Sequence, residues 1–313
     1  MSSIPILSLI QTNLIRYGTL VVLIFGFVGN IGVVYLFSHH HKNGCALYLL
    51  CAALFNIIYL SVSIPYGLYV LDNFDPSSSS LYVCKSRFFF FHVWGQVSRY
   101  FVILACVDRF LLTHRNATIR NFSHINKTRI LIVISIIFWH VFPIHIFIMT
   151  TIQNGRCGYF GLYYILNSVY TLIFVGFLPP ILMVIFGYLS FRNVSQMRTR
   201  IQPSGTTITN HQGNAIQQKD RSLLKMLLSE VSVYVVTMSL YPIILLEISL
   251  TNSMNIQKSP QRSQIENFIS FLSLFLIYLN TSAPFYIYFV VSKSFRHDVR
   301  ESFKKLYKFI LRK

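Results

Sequence analysis

The chain of 313 residues is 54% apolar and 16% aromatic, and only 12% of it is charged. A soluble protein of this length needs a more polar surface, so an ordinary water-soluble domain is excluded and a membrane protein is expected. The formal net charge of +18 could serve nucleic acid, but no aromatic-rich basic module accompanies it, and its placement points to a lipid bilayer.

Apolar stretches long enough to cross a bilayer, about 20 residues each, follow one another at 14–37, 46–70, 81–113, 130–151, 162–191, 223–250 and 268–291. Backbone polar groups must be paired inside lipid, and runs of this length pair them as helices, not as barrel strands. The expected fold class is therefore all-α, a seven-transmembrane helix bundle over 14–291. It is preceded by a short segment, 1–13, that does not read as a cleaved signal peptide. The third run is the longest. It ends on "ILACVDRFLL", which sets Asp108 and Arg109 side by side at the edge of hydrocarbon. Charges there cost several kcal/mol or more, so a functional reason is expected.

Segment 192–222 contains "QPSGTTITNHQGN" and reads as a flexible loop, because it is polar and rich in turn formers. In the tail, 292–313, Phe295, Val299, Phe303, Leu306 and Ile310 recur at helical spacing between basic residues. That is the pattern of an amphipathic helix lying on a membrane face.

Charge sets the expected orientation. The segments after spans 1, 3 and 5 hold Lys42; Arg115, Arg120, Lys127 and Arg129; and Arg192, Arg198, Arg200, Lys219 and Arg221, with eight more basic residues beyond Val291. The opposite side holds Lys85, Arg87, Arg156, Lys258 and Arg262, with Arg16 near the first span. Basic residues accumulate on the cytoplasmic side, so the N-terminus is expected outside and the tail inside, as in a multi-pass protein of the plasma membrane. Cys84 and Cys157 then face an oxidising compartment and are expected to form a disulfide, two unpaired thiols being the alternative. Cys45, Cys51 and Cys106 read as small packed hydrophobes.

Several classes drop out. Spans 2, 5 and 7 carry no charged residue and no inverted repeat is evident, which disfavours a transporter. Span 7 has no lysine for a retinal Schiff base. No paired aspartates or Ser–His arrangement marks an intramembrane protease. The chain is not read as an enzyme, and no cofactor or metal is expected. His39, His40 and His41 read as a polar loop, and His140 and His145 as packing residues.

Seven spans, the Cys84/Cys157 pair and "DRF" at the end of span 3 together resemble the rhodopsin-like G-protein-coupled receptors. The resemblance extends through Asn30 in "GFVGNIGVV", Trp139 in span 4, Pro180 with Tyr188 eight residues later, Pro242 in "SLYPI", and Pro284 in "SAPFYIY". It implies that Asp108 holds Arg109 at rest and that outward movement of helix 6 frees Arg109 for a heterotrimeric G protein. Tyr188, Pro242, Pro284 and Tyr288 would belong to the same activation machinery. Asn30, Asn56, Ser98, Trp139 and Pro180 would be structural marks. The stretch "DRFLLTHRNATIR" is similar to invertebrate neuropeptide receptors of the FMRFamide-like kind, which implies a peptide ligand, with a small chemosensory molecule as the alternative.

The chain also departs from that pattern. Asn56 stands where relatives have Asp, Ala283 where they have Asn, Ile287 where they have Tyr, and Leu240 where a Trp often sits. Ser222 replaces an acid that bonds the helix 3 arginine across helices. Loss of the helix 2 carboxylate implies little sodium sensitivity, since oxygen charge holds a small hard cation, though Ser98 remains. Loss of the cross-helix acid implies a less firmly locked resting state. Phe91 stands where monoamine receptors place an Asp, so a monoamine ligand is not expected. Candidate ligand contacts are Arg87, Phe91 and Gln96 on helix 3, with Trp94 as an alternative to Gln96 on the same face. Glu247 on helix 6 is a further candidate, with a salt bridge to Arg262 or Lys258 as its other reading. Arg99 is deep in the bilayer and should face the interior with a partner. Glu247, Asn56, Asn280 and backbone carbonyls are the candidates, and packing and ligand contact stand equally.

Overall fold

The computed structural model describes residues 3–40, 42–200, 210–254 and 256–310. Seven of its helices are long and apolar enough to cross a membrane: α1 (Ile6–Ser38), α2 (Gly44–Asp72), α3 (Leu81–Thr113), α4 (Ile125–Met149), α5 (Leu162–Gln196), α6 (Ser222–Ser253) and α7 (Pro260–Ser282). Past Ala283 the chain continues as α8 (Pro284–Val291) and then α9 (Lys293–Ile310). Between α4 and α5 lies a hairpin of β1 (Thr151–Gln153) and β2 (Arg156–Gly158).

The segment over 1–13 is helical from Ser3 and forms the start of the first helix, which contains a π turn at Leu14–Gly18. Its single proline, Pro5, falls in the first turn, where no backbone donor is lost. The flexible segment expected over 192–222 is helical at both ends, since the fifth helix runs to Arg200 and the sixth begins at Asn210. Residues 201–209, with Pro203 and Gly205, lie outside the described residues, and Gly213 falls within the sixth helix. The tail is helical as its spacing predicts. Phe295 and Val299 are buried, Phe295 against Phe37 and Tyr288, while Phe303 is 66% exposed; the side chains of Leu306 and Ile310 lie outside the described ones.

Helix α3 runs through the centre. Val93, Val97, Phe101 and Ala105 recur every fourth residue and are wholly buried, a stripe that helical spacing turns to one side. Outside, Val21, Ile24, Val28, Ile130, Val133, Ile137 and many others are exposed. A surface this apolar would be intolerable in water and is the expected belt toward lipid. Where lipid is the solvent, close packing and small residues hold helices together. Gly26 shows this: a Cβ there would come within 2.6 Å of Leu60 and of Ser282 Oγ, so α1 meets α2 and α7 at that point.

Prolines interrupt several of the helices, α4 at Pro143 among them. In α5, Leu172–Phe177 is a π segment, with Leu178 N–H bonding Ile173 O, just before Pro179 and Pro180. The shifted bond releases Phe174 O, and Pro179 has no N–H for Val175 O. Helix α6 is interrupted at Ser239, three residues before Pro242, and α7 gives way to α8 at Ala283. A Cβ on Gly176 of the π segment would lie 2.8 Å from Pro242, so a glycine lets α6 approach α5 there.

Candidate functional site

At one end of the bundle α3 is bridged to the hairpin. Asn154 (φ 50°) and Gly155 (φ 69°) form its two-residue turn, the backbone geometry that suits a right-twisted hairpin and that Asn-Gly adopts most easily. The turn pairs Ile152 with Cys157. Cys157 is disulfide-bonded to Cys84, with Cα atoms 5.7 Å apart.

Charges at this bridge end are paired. Arg87 meets Asp75 at 3.4 Å and Ser77 Oγ at 3.1 Å, and its guanidinium lies 4.5 Å over the Tyr66 ring. Burial pushes the Asp75 carboxyl up, but hydrogen bonds from Tyr66 and Ser77, with Arg87 beside it, outweigh burial and hold it below its ordinary value. Arg262 on α7 joins Glu247 at 2.7 Å and Glu266 at 2.8 Å, and Lys258 closes on Glu266 at 2.5 Å. Glu247 is thus paired with Arg262, one of the two partners named for its salt-bridge reading. The helix 3 face is partly as expected. Arg87 and Phe91 share Tyr66, but Trp94 stacks on the exposed Phe90 and Gln96 turns toward α5.

The centre is a polar hub. Asn56 Nδ2 donates to Asn30 Oδ1 at 3.1 Å, and Ser98 Oγ donates to Asn56 Oδ1 at 2.5 Å. Asn30 also donates to Gly26 O at 2.8 Å and Thr281 O at 3.1 Å. Four helices are joined through side chains that the sequence singled out on α1, α2 and α3. Trp139 is buried, its ring 4.3 Å from that of Tyr100. The carbonyls released in α5 are both taken: Gln96 Nε2 donates to Phe174 O at 3.3 Å, and Tyr234 OH donates to Val175 O at 2.9 Å. Arg99 Nη1 donates to Gln96 Oε1 at 2.8 Å, a partner outside the expected set. Asn56, Arg99 and Asn280 do line one cavity of about 30 Å³, together with Ser98, Glu230 and Pro284.

At the other end, Asp108 and Arg109 are buried, Arg109 to 2% exposure. Arg109 Nη2 donates to Asp108 Oδ2 at 3.0 Å and to Asn43 Oδ1 at 2.8 Å. Asn43 is the N-cap of α2, its side chain also accepting from Ala46 N. Asp108 Oδ1 accepts from Ser123 Oγ at 2.7 Å. A Cβ on Gly44 would fall 2.8 Å from Asp108 Oδ1, so α2 and α3 approach closely here. Ser222 bonds Ser292. Tyr288 OH donates to Glu230 Oε2 at 2.5 Å, fastening α6 to α8 with both groups buried. Tyr188 is 61% exposed. An open cavity of about 640 Å³ adjoins Arg109, His39, His40 and Lys42.

Sequence reasoning missed Asn43, Ser123 and Glu230. Glu230 had a readable signal, an acid within an apolar run. Asn43 and Ser123 are ordinary loop residues, and only the packing of α2 and α4 against α3 brings them to the pair.

A family model described as the 7 transmembrane receptor (rhodopsin family) matches residues 29–288. No curated protein matches the chain.

Proposed function

Because the chain belongs to the rhodopsin family of seven-transmembrane receptors, a family of signalling receptors and not enzymes, we propose that it carries an extracellular signal, a neuropeptide, to a heterotrimeric G protein. In this reading the protein lies in the plasma membrane with the Cys84–Cys157 end outside, as the distribution of basic residues supports. The exposed side of α9 around Phe303 then lies on the inner leaflet. Phe91 packed between Tyr59 and Tyr66 supports a peptide over a monoamine, since no carboxylate stands there for an amine.

One observation carries the reading. Arg109 is buried beside an open cavity on the basic face, hydrogen-bonded to Asp108 and Asn43. A guanidinium keeps its charge and offers a rigid fork of donors, so it suits docking on carbonyls of a partner once released. Tyr288–Glu230 and Ser222–Ser292 hold α6 inward. Outward movement of α6 breaks both, and Tyr188 has to turn inward to join Arg109.

Asn43→Ala and Tyr288→Phe should each raise ligand-independent signalling several-fold. Each hydrogen bond to a charged group contributes about 1.5–3 kcal/mol to the resting state. Basal signalling unchanged in both variants, at equal surface expression, would remove these contacts from the mechanism.

Sodium should have little effect. The hub offers carboxamides and hydroxyls, Arg99 lines the same cavity, and the carboxylate there, Glu230, takes the Tyr288 hydroxyl. The thermal midpoint of the purified receptor is expected to be equal in sodium chloride and in choline chloride. A saturable rise with sodium would contradict this.

A further inference from the structure

We propose that the Arg99 guanidinium anchors a carboxylate of the activating ligand; this rests on the receptor reading above. Arg99 lies 15 residues beyond Cys84, about 22 Å along the helix, within the membrane-spanning part of α3. Its Nη1 has a neutral acceptor, Gln96 Oε1, and its Nε is buried with no acceptor. A guanidinium in such a place normally has an acid or a water-filled space beside it.

The acids that could serve it are committed elsewhere. Toward the bridge end, Asp72 is paired with Arg16, Asp75 with Arg87, Glu247 with Arg262, and Glu266 with Arg262 and Lys258. Glu230 lines the same cavity but takes the Tyr288 hydroxyl. Among the described residues no ion pair to Arg99 is present, so a cationic ligand group entering from the bridge end meets acids already in ion pairs, and an anionic one meets a cation without an ion-pair partner. A carboxylate is the group that a guanidinium fork fits best.

An aromatic wall leads down to it. Tyr66 meets Phe91 with ring centroids 6.2 Å apart, Phe91 meets Tyr59 at 6.3 Å, and Tyr59 meets Tyr278 at 5.9 Å. Arg99 is close enough to Tyr59 and Tyr241 to act on them electrostatically. Their hydroxyls can give a bound carboxylate the further donors its oxygens need. The carboxylate can come from the C-terminus of a peptide or from a small organic acid.

The test uses the purified full-length receptor and four probes: N-acetylphenylalanine, benzoate, and the primary amide of each. The thermal midpoint should rise by several degrees with at least one acid and not with its amide. Arg99→Lys should keep the preference for acid, and Arg99→Gln should lose it. A larger shift with N-acetylphenylalanine indicates a peptide terminus, and a larger shift with benzoate a small acid. Equal shifts for acids and amides, an equal shift with chloride, no shift with either acid, or a shift retained in Arg99→Gln would overturn the proposal. Nucleotide exchange on a G protein, measured on the same preparations in the Asn43→Ala background, keeps the two readings apart. Absent exchange with an intact acid shift would sink the receptor reading and leave this one standing.

Discussion

Arg109→Ala should reduce G-protein activation to less than about a tenth of wild type, a loss of ~1.4 kcal/mol or more in the coupled state, while surface expression persists. The side chain is buried and its donors go to Asp108 and Asn43, so its removal costs some resting-state order. Asp108 is not left as a bare buried charge, because Ser123 still donates to it, and that limits the damage to folding. Arg109→Lys keeps the charge but not the fork, and should recover only part of the signal. Undiminished activation in Arg109→Ala at normal expression would overturn the assignment.

Breaking the bridge should have the second largest effect, on stability. Cys84 and Cys157 are 73 residues apart in sequence, and a loop of that length corresponds to about 4 kcal/mol in the chain-entropy model. The bilayer already restricts the open chain, so this is an upper figure. Cys84→Ser is expected to lower surface expression severalfold and to depress the thermal midpoint of the purified protein. The double variant Cys84→Ser/Cys157→Ser should behave alike, which separates loss of the bridge from the harm of a stray thiol. A double variant as stable as wild type would show that the hairpin is held to α3 by other contacts.

Much of this architecture was legible in the residues, for a physical reason. A helix that crosses lipid must be long and apolar, so the seven spans stand out, and unequal placement of arginine and lysine orders their ends. The hub of Asn30, Asn56 and Ser98 was legible through resemblance, and the structure joins the three directly. Other features needed packing. Arg87 was a candidate for ligand contact, yet Asp75 and Ser77 hold it, a pairing made by the turn after α2. Arg99 was correctly marked as unusual, but its bond to Gln96 follows from helical spacing within α3 combined with the π segment of α5. The resting contacts of α6 were the least legible. The position read for a lock, Ser222, bonds Ser292, while among the described residues an acid of α6 in such a contact lies two helical turns further in, at Glu230.

On the function proposed above, the buried arginine at the basic end of α3 activates a G protein once its resting contacts are loosened. Nucleotide exchange by purified receptor and heterotrimer, without ligand, tests this most directly in Asn43→Ala and in Asn43→Ala/Arg109→Ala. Exchange that rises in the first and returns to the receptor-free rate in the second is the predicted result. Equal exchange in both would contradict it.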